Sequence, residues 1–148
     1  MLESFAMSLE RTLSIIKPDA VEKHRIGAII ERLEKEGFKI TAMKRMHLTL
    51  GEARGFYAVH RERPFFDELT KFMSRGPIVV MVLEGENAIQ RYRDVIGATD
   101  PKKAAEGTLR RSYGTDVGEN ALHGSYSPET AQNEVSYCFA GHELGPLV

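Results

Sequence analysis

Ile78-Val79-Val80-Met81-Val82-Leu83 is the stretch on which the reading of the fold turns. An uninterrupted apolar run of this length leaves no polar face, so a strand made from it is covered on both sides and lies inside its sheet. Gly76-Pro77 stands directly before it and ends a helix that follows Arg63-Pro64 and carries Phe65, Leu69 and Phe72 on one stripe. Beyond it, Ala88, Ile89, Tyr92, Val95 and Ile96 recur at the helical period, with Arg91 and Arg93 on the opposite side.

Toward the N-terminus, Phe38, Ile40, Ala42, Met46 and Leu48 alternate with Lys39, Thr41, Arg45 and His47, which predicts a strand over 38–48 with one buried face, broken only by Lys44. Ile26, Ile29, Ile30 and Leu33 place an amphipathic helix over 26–36, closed by Gly37. Thr12 to Ile16 is a short apolar strand that stops at Lys17, because the following proline pushes that residue out of helical space. Pro18 and Asp19 then open a short helix. Thr49-Leu50-Gly51-Glu52 has capping-box spacing and starts a helix to about His60.

Toward the C-terminus, the stretch 97–119 shows no sustained period and carries Lys102, Lys103, Arg110 and Arg111, a long basic loop. Ala121 to His123 reads as an edge strand, and Ser127 with Pro128 starts a last helix whose inner face is Ala131, Val135 and Phe139. Helices between the strands of a small sheet predict an α+β sandwich. We expect one domain over 9–148, with residues 1–8 an N-terminal leader or expression remnant and Met7 an alternative start.

The chain has 148 residues, and its 20 Lys and Arg against 21 Asp and Glu give a net charge of −1. That balance argues against a nucleic-acid binder driven by bulk electrostatics. The longest apolar run is the strand quoted first, far short of the ~20 residues a membrane helix needs. Met1 to Leu9 lacks the basic start and apolar stretch of a secretory signal. Cys138 is the single cysteine, which makes an internal bridge impossible and suits a reducing, cytoplasmic setting.

Among the histidines, His123 stands in a small, polar segment, Asn120-Ala121-Leu122-His123-Gly124-Ser125, just before a helix start. Free N–H groups there favour anions, and neutral imidazole is a competent nucleophile. Glu134, on the last helix, is placed to hold the second ring nitrogen; a histidine that merely satisfies a turn is the competing reading. Lys17, between strand and helix, suits contact with phosphate, or else is solvated. Arg93, Thr99 and Arg110 lie on or beside the basic loop, where forked guanidinium donors clamp phosphates, solvated charge again being the alternative. Tyr57 and Phe65 fall on helical stripes of the kind that build cores. No His-Glu-x-x-His, paired cysteines or acidic calcium loop occurs, so a divalent ion is expected to arrive with substrate phosphates. The Walker pattern and the dinucleotide glycine fingerprint are absent as well.

Thr12 to Val21 (TLSIIKPDAV), Arg63-Pro64-Phe65-Phe66, Gly97-Ala98-Thr99-Asp100-Pro101, Glu106-Gly107-Thr108-Leu109-Arg110 and Asn120 to Ser125, in this order, resemble nucleoside diphosphate kinase over about residues 9–139. The resemblance implies a ferredoxin-like βαββαβ core with a four-stranded antiparallel sheet. It also implies ping-pong transfer of a γ-phosphoryl group, mainly from ATP, to a nucleoside diphosphate, with Mg²⁺, in a tetramer or hexamer. It makes His123 the nucleophile, with Glu134 and Ser125 positioning it. Lys17 and Tyr57 would lie near the transferred group, and Arg93, Thr99 and Arg110 would bind the other phosphates. Phe65 and Val117 would sandwich the base, and Asn120 with Lys17 would reach the ribose 3′-hydroxyl. Stacking tolerates every base because each has a π-face.

The chain departs from the family's usual pattern at Tyr126, where members commonly carry an acidic residue, and the expectation is weaker stability or metal-nucleotide handling without loss of turnover. Val59 also replaces a commonly acidic residue, without a physical account. Two other readings compete: a catalytically silent nucleotide-binding module, against which the intact cationic set argues, and a ferredoxin-like RNA-binding domain, which would need an aromatic platform on its strands.

Overall fold

The computed structural model describes residues 9–147, so the leader assigned to 1–8 lies outside the described residues. In chain order the elements are β1 (Leu9–Ile16), α1 (Pro18–Glu22), α2 (Ile26–Lys35), β2 (Lys39–Met46), α3 (Leu50–Phe56), α4 (Phe66–Met73), β3 (Ile78–Glu86), α5 (Ala88–Ile96), α6 (Leu109–Tyr113), β4 (Leu122–Gly124) and α7 (Pro128–Cys138). The sheet order is β2-β3-β1-β4 and every neighbouring pair is antiparallel, the ferredoxin-like arrangement.

β3 is interior, and its alternation divides the core in two. Val79, Met81 and Leu83 pack with Ile29 and Leu33 of α2 and with Tyr92, Val95 and Ile96 of α5. Ile78, Val80 and Val82 pack on the other side with Leu13 and Ile15 of β1, Ala53 of α3, Met73 of α4 and Val135 of α7. Each face of the sheet thus buries its own apolar layer, the main source of stability for such a sandwich.

β2 corrects the single buried face expected for 38–48. Its register to β3 jumps between Ile40 and Ala42, a bulge at Thr41. One extra residue turns every following side chain over. Phe38 and Ile40 accordingly join the α2/α5 layer, whereas Ala42, Met46 and Leu48 join the α3/α7 layer. Lys44 shares the latter side. Its ammonium donates to the Cys138 carbonyl at 2.8 Å, lies 4.7 Å from the centre of the Phe139 ring, and pairs with Glu143 at 3.1 Å, so the C-terminal segment satisfies the charge that broke the pattern.

Three ends matter for the site. Lys17 has extended backbone (φ −77°, ψ 165°) ahead of Pro18, which turns the chain from β1 into α1. The capping box forms as expected, Glu52 N–H donating to Thr49 Oγ1 at 3.1 Å and Thr49 N–H to Glu52 Oε1 at 2.8 Å. α3 ends at Phe56 rather than near His60, leaving Tyr57 at its C-terminus ahead of a 3-10 turn over Ala58–His60. Inside the stretch read as a bare loop, the five residues of α6 start at Leu109, capped by Thr108, whose hydroxyl accepts from Arg111 N–H.

Gly124, following His123 on β4, lies against the ring of Tyr92: a Cβ there would stand 2.9 Å from Tyr92 Cε2. Tyr92 is fully buried, and its hydroxyl is 2.6 Å from Ser14 Oγ and donates to the His123 carbonyl at 3.2 Å. The ring therefore has nowhere to retreat. Gly124→Ala is expected to destabilise the fold by about 1–3 kcal/mol, read as a lower urea midpoint at unchanged slope.

Candidate active site

Ile15 of β1 pairs with His123 of β4, so the histidine stands on the sheet's edge strand beside the β1–α1 turn. Its side chain is 13% exposed, sheltered yet reachable, and its Nε2 is 2.8 Å from Glu134 Oε1 on α7. A carboxylate only accepts, which assigns the ring proton to Nε2 and leaves the Nδ1 lone pair free. Ser125 Oγ donates to the same Glu134 oxygen at 2.7 Å and accepts from Leu13 N–H at 3.3 Å. Ser125 and His123 thus share one oxygen of Glu134. Burial pushes the Glu134 carboxyl up, but the hydrogen bonds and charge from His123 and the Ser125 bond outweigh it and hold the pKa below the ordinary carboxylate value.

The rings of Phe56 and Tyr57 meet the imidazole nearly edge-on, at centroid distances of 5.5 and 6.1 Å. Such T-shaped contacts fix its tilt. The Tyr57 hydroxyl is buried, with no partner among the described residues. Burial, followed by the nearby Glu134 charge, pushes its pKa up, so it remains a phenol able to donate.

Lys17 is buried and donates to Asn120 Oδ1 at 2.8 Å, and Asn120 Nδ2 donates to the Thr99 carbonyl at 3.1 Å. Burial above all, reinforced by the Arg110 charge and opposed by Asp19, pulls the Lys17 pKa down to about 8. Both ends of Ala121 are tied to this turn: its carbonyl accepts from Lys17 N–H at 2.8 Å, and its N–H donates to Asp19 Oδ2 at 3.1 Å. Ala121 has φ +75°, a left-handed conformation costly for a residue with a Cβ and held here by those two bonds. Asp19 is itself buried, which raises its carboxyl pKa despite the Lys17 charge.

Arg110 donates to the carbonyls of Gly97 and Leu122 at 2.9 and 2.8 Å, bracing the basic loop against β4. Arg93, Thr99 and Arg110 line one cavity of about 460 Å³ with Gly97, Ala98 and Thr108. Phe65 and Val117 are half-exposed and lie outside that lining, Phe65 packing on His60 at 5.7 Å between ring centres.

His123, Glu134, Ser125 and Tyr57 therefore form one contact group, Lys17, Asn120 and Thr99 a hydrogen-bonded chain, and Arg93, Thr99 and Arg110 a cationic wall. Asp19, Phe56 and Tyr92 also shape the site, although Asp19 read as a helix start, Tyr92 as part of an apolar stripe, and Phe56 carried no signal of its own. The donors on the wall and chain are ammonium, guanidinium and amide groups, a set suited to phosphate oxygens. Among the described residues no three His, Cys, Asp or Glu side chains gather around a metal position, and no helix is long and apolar enough to cross a membrane.

Comparison with known proteins gives the same picture. The family model for nucleoside diphosphate kinase matches residues 10–144. A nucleoside diphosphate kinase of Sorangium cellulosum is 66% identical over 140 residues, covering 95% of this chain and 97% of its own. That of Desulfosudis oleivorans is 60% identical over 136 residues, covering 92% and 98%. The crystal structure of the Aquifex aeolicus nucleoside diphosphate kinase superposes with a TM-score of 0.91 at 52% identity, covering 93% of this chain and 100% of that one. The Halobacterium salinarum enzyme, solved in complex with CDP, gives 0.89 at 40% identity, covering 94% and 93%.

Proposed function

The chain belongs to the nucleoside diphosphate kinase family, and from that premise we propose how its own residues carry out the family's reaction. It transfers the γ-phosphoryl group of a nucleoside triphosphate, mainly ATP, to a nucleoside diphosphate by a ping-pong route through a phosphohistidine, maintaining triphosphate pools. His123 Nδ1 attacks the γ-phosphorus. The Nδ1–P bond forms as the bond from phosphorus to the β-γ bridging oxygen breaks, and the nucleoside diphosphate leaves with that electron pair. An incoming diphosphate oxygen then takes the phosphoryl group back from Nδ1 in the reverse sense. The Nε2 proton stays in place throughout, and Glu134 stabilises the positive charge that the ring acquires when it bonds to phosphorus.

The observation that carries this reading is the 2.8 Å contact of Nε2 with Glu134, because it commits the proton to one nitrogen and the nucleophilic lone pair to the other. Lys17 and the Tyr57 hydroxyl face the transferred group; Arg93, Thr99 and Arg110 hold the remaining phosphates; Asn120 with Lys17 meets the ribose 3′-hydroxyl; Phe65 and Val117 flank the base. The CDP in the Halobacterium salinarum relative supports a nucleoside diphosphate as acceptor. Mg²⁺ enters as part of the substrate, bound to nucleotide phosphates and water, a role in keeping with its preference for retaining water ligands.

We also read the protein as a cytoplasmic homo-oligomer, a tetramer or hexamer, with residues 9–148 as its single domain and with no membrane or nucleic acid required. The outer edge of β2 is unpaired among the described residues and exposes Met43, which supports association. The buried, free Cys138 thiol supports a reducing compartment.

γ-Labelled ATP mixed with the pure protein and no acceptor is the test. Acid-labile label on the protein, removed by a nucleoside diphosphate, is expected. Bound nucleotide without label on the protein would establish the silent module instead.

A further inference from the structure

Tyr126 lies three residues beyond His123 and is 63% exposed, an unusual position for a large aromatic ring beside a charged site. It is not idle: the Arg93 guanidinium carbon stands 4.3 Å from the centre of its ring. The Arg93 guanidinium makes no hydrogen bond or ion pair among the described residues, so this stack is what anchors it there. Arg93 projects from α5, and Tyr126 follows β4, so the contact ties a helix to the strand that bears the nucleophile. Arg93 and Arg110 line the same cavity, where their like charges push against one another.

We propose that Tyr126 is a positioning residue, whose ring face holds the Arg93 guanidinium at the phosphate wall without consuming its charge or its in-plane donors. The argument is geometric. A cation–π contact engages the face of a guanidinium, whereas phosphate is bound by the N–H groups in its plane, so stacking and phosphate binding are compatible. An acidic residue at 126, as the resemblance leads one to expect, would engage those same in-plane donors as a forked ion pair and remove one positive charge from the set formed by Lys17, Arg93 and Arg110. The ring also holds Arg93 against repulsion from Arg110. The departure from the family pattern is then an exchange of holding devices, and it replaces the expectation that Tyr126 merely weakens the site.

The inference rests on the assignment of Arg93 to the phosphates, so the test separates the two with a double-mutant cycle read by calorimetric binding of ADP with Mg²⁺. Tyr126→Ala should weaken binding about three- to fivefold and raise KM alike, with kcat at saturation within about twofold of the parent. Tyr126→Phe, which keeps the ring face, should restore the parent affinity. In an Arg93→Ala background, Tyr126→Ala should cost nothing further. Equal losses in both backgrounds, equal losses for alanine and phenylalanine, or an unchanged affinity for Tyr126→Ala would overturn the role of Tyr126 while leaving Arg93 in place. Unchanged affinity for Arg93→Ala itself would overturn the phosphate assignment and this proposal together.

Discussion

His123→Ala is expected to abolish acid-labile labelling and lower kcat by at least about 10⁴-fold, while ADP affinity stays within about threefold of the parent. The asymmetry follows from the division of labour in the site. The imidazole contributes one lone pair, and the grip on the nucleotide is assigned to groups it does not touch: Lys17 and Asn120 at one end and Arg93, Thr99 and Arg110 on the wall. Truncation leaves Glu134 with its Ser125 bond at 2.7 Å, and the main-chain tie from Tyr92 to the residue 123 carbonyl is unaffected by the side chain. The variant should therefore fold, and circular dichroism with a melting curve would verify it. If His123→Ala kept its label, the phosphoryl group would reside elsewhere and the mechanism would be wrong. If it lost binding along with label, the imidazole would be part of the grip and not only the carrier.

How much of this was readable in advance depends on whether a feature is written locally. β3 was legible because a run without polar residues has no exposed face, and the starts of α3 and α7 because Thr49 and Ser127 cap their own helices. The bulge at Thr41 was not, since it is defined by the partner strand's register, and a strand's own alternation cannot reveal an inserted residue. α6 has too few residues for a period to show. At the site, the NALHGS segment and Glu134 could be paired in advance, and the structure brings them into contact. Asp19, Tyr92 and Phe56 were hidden for a common reason: each has an ordinary local role, and only the sheet places β1, β4 and the flanking helices so that these residues meet the same turn. The Tyr126 stack joins residues distant in sequence and was equally invisible.

Lys17→Gln is expected to lower kcat/KM by roughly 10²–10³-fold near neutral pH, the scale of losing one charged donor from a water-excluded site. Glutamine retains a donor for Asn120 while removing the charge, so the change isolates electrostatics from packing. The decisive signature is the pH profile. In the free enzyme the Lys17 pKa is drawn down to about 8, so its ammonium is present below that pH and lost above it. Parent kcat/KM should therefore fall as pH rises through about 8, in proportion to the ammonium fraction, and converge on the Lys17→Gln value, whose own profile lacks that limb. The limb in kcat should lie at higher pH, because bound phosphates stabilise the charged form. Unfolding at Lys17 does not explain the fall, as the sign of the linkage shows. Between about 8 and the ordinary value of 10.5 the unfolded chain keeps a proton that the folded protein has released, so this group's contribution to stability grows with pH across that window. Activity and stability should diverge there, the first falling while the Lys17 contribution to the second rises. Parallel pH profiles for parent and variant would show that the buried ammonium does not face the transferred phosphoryl group.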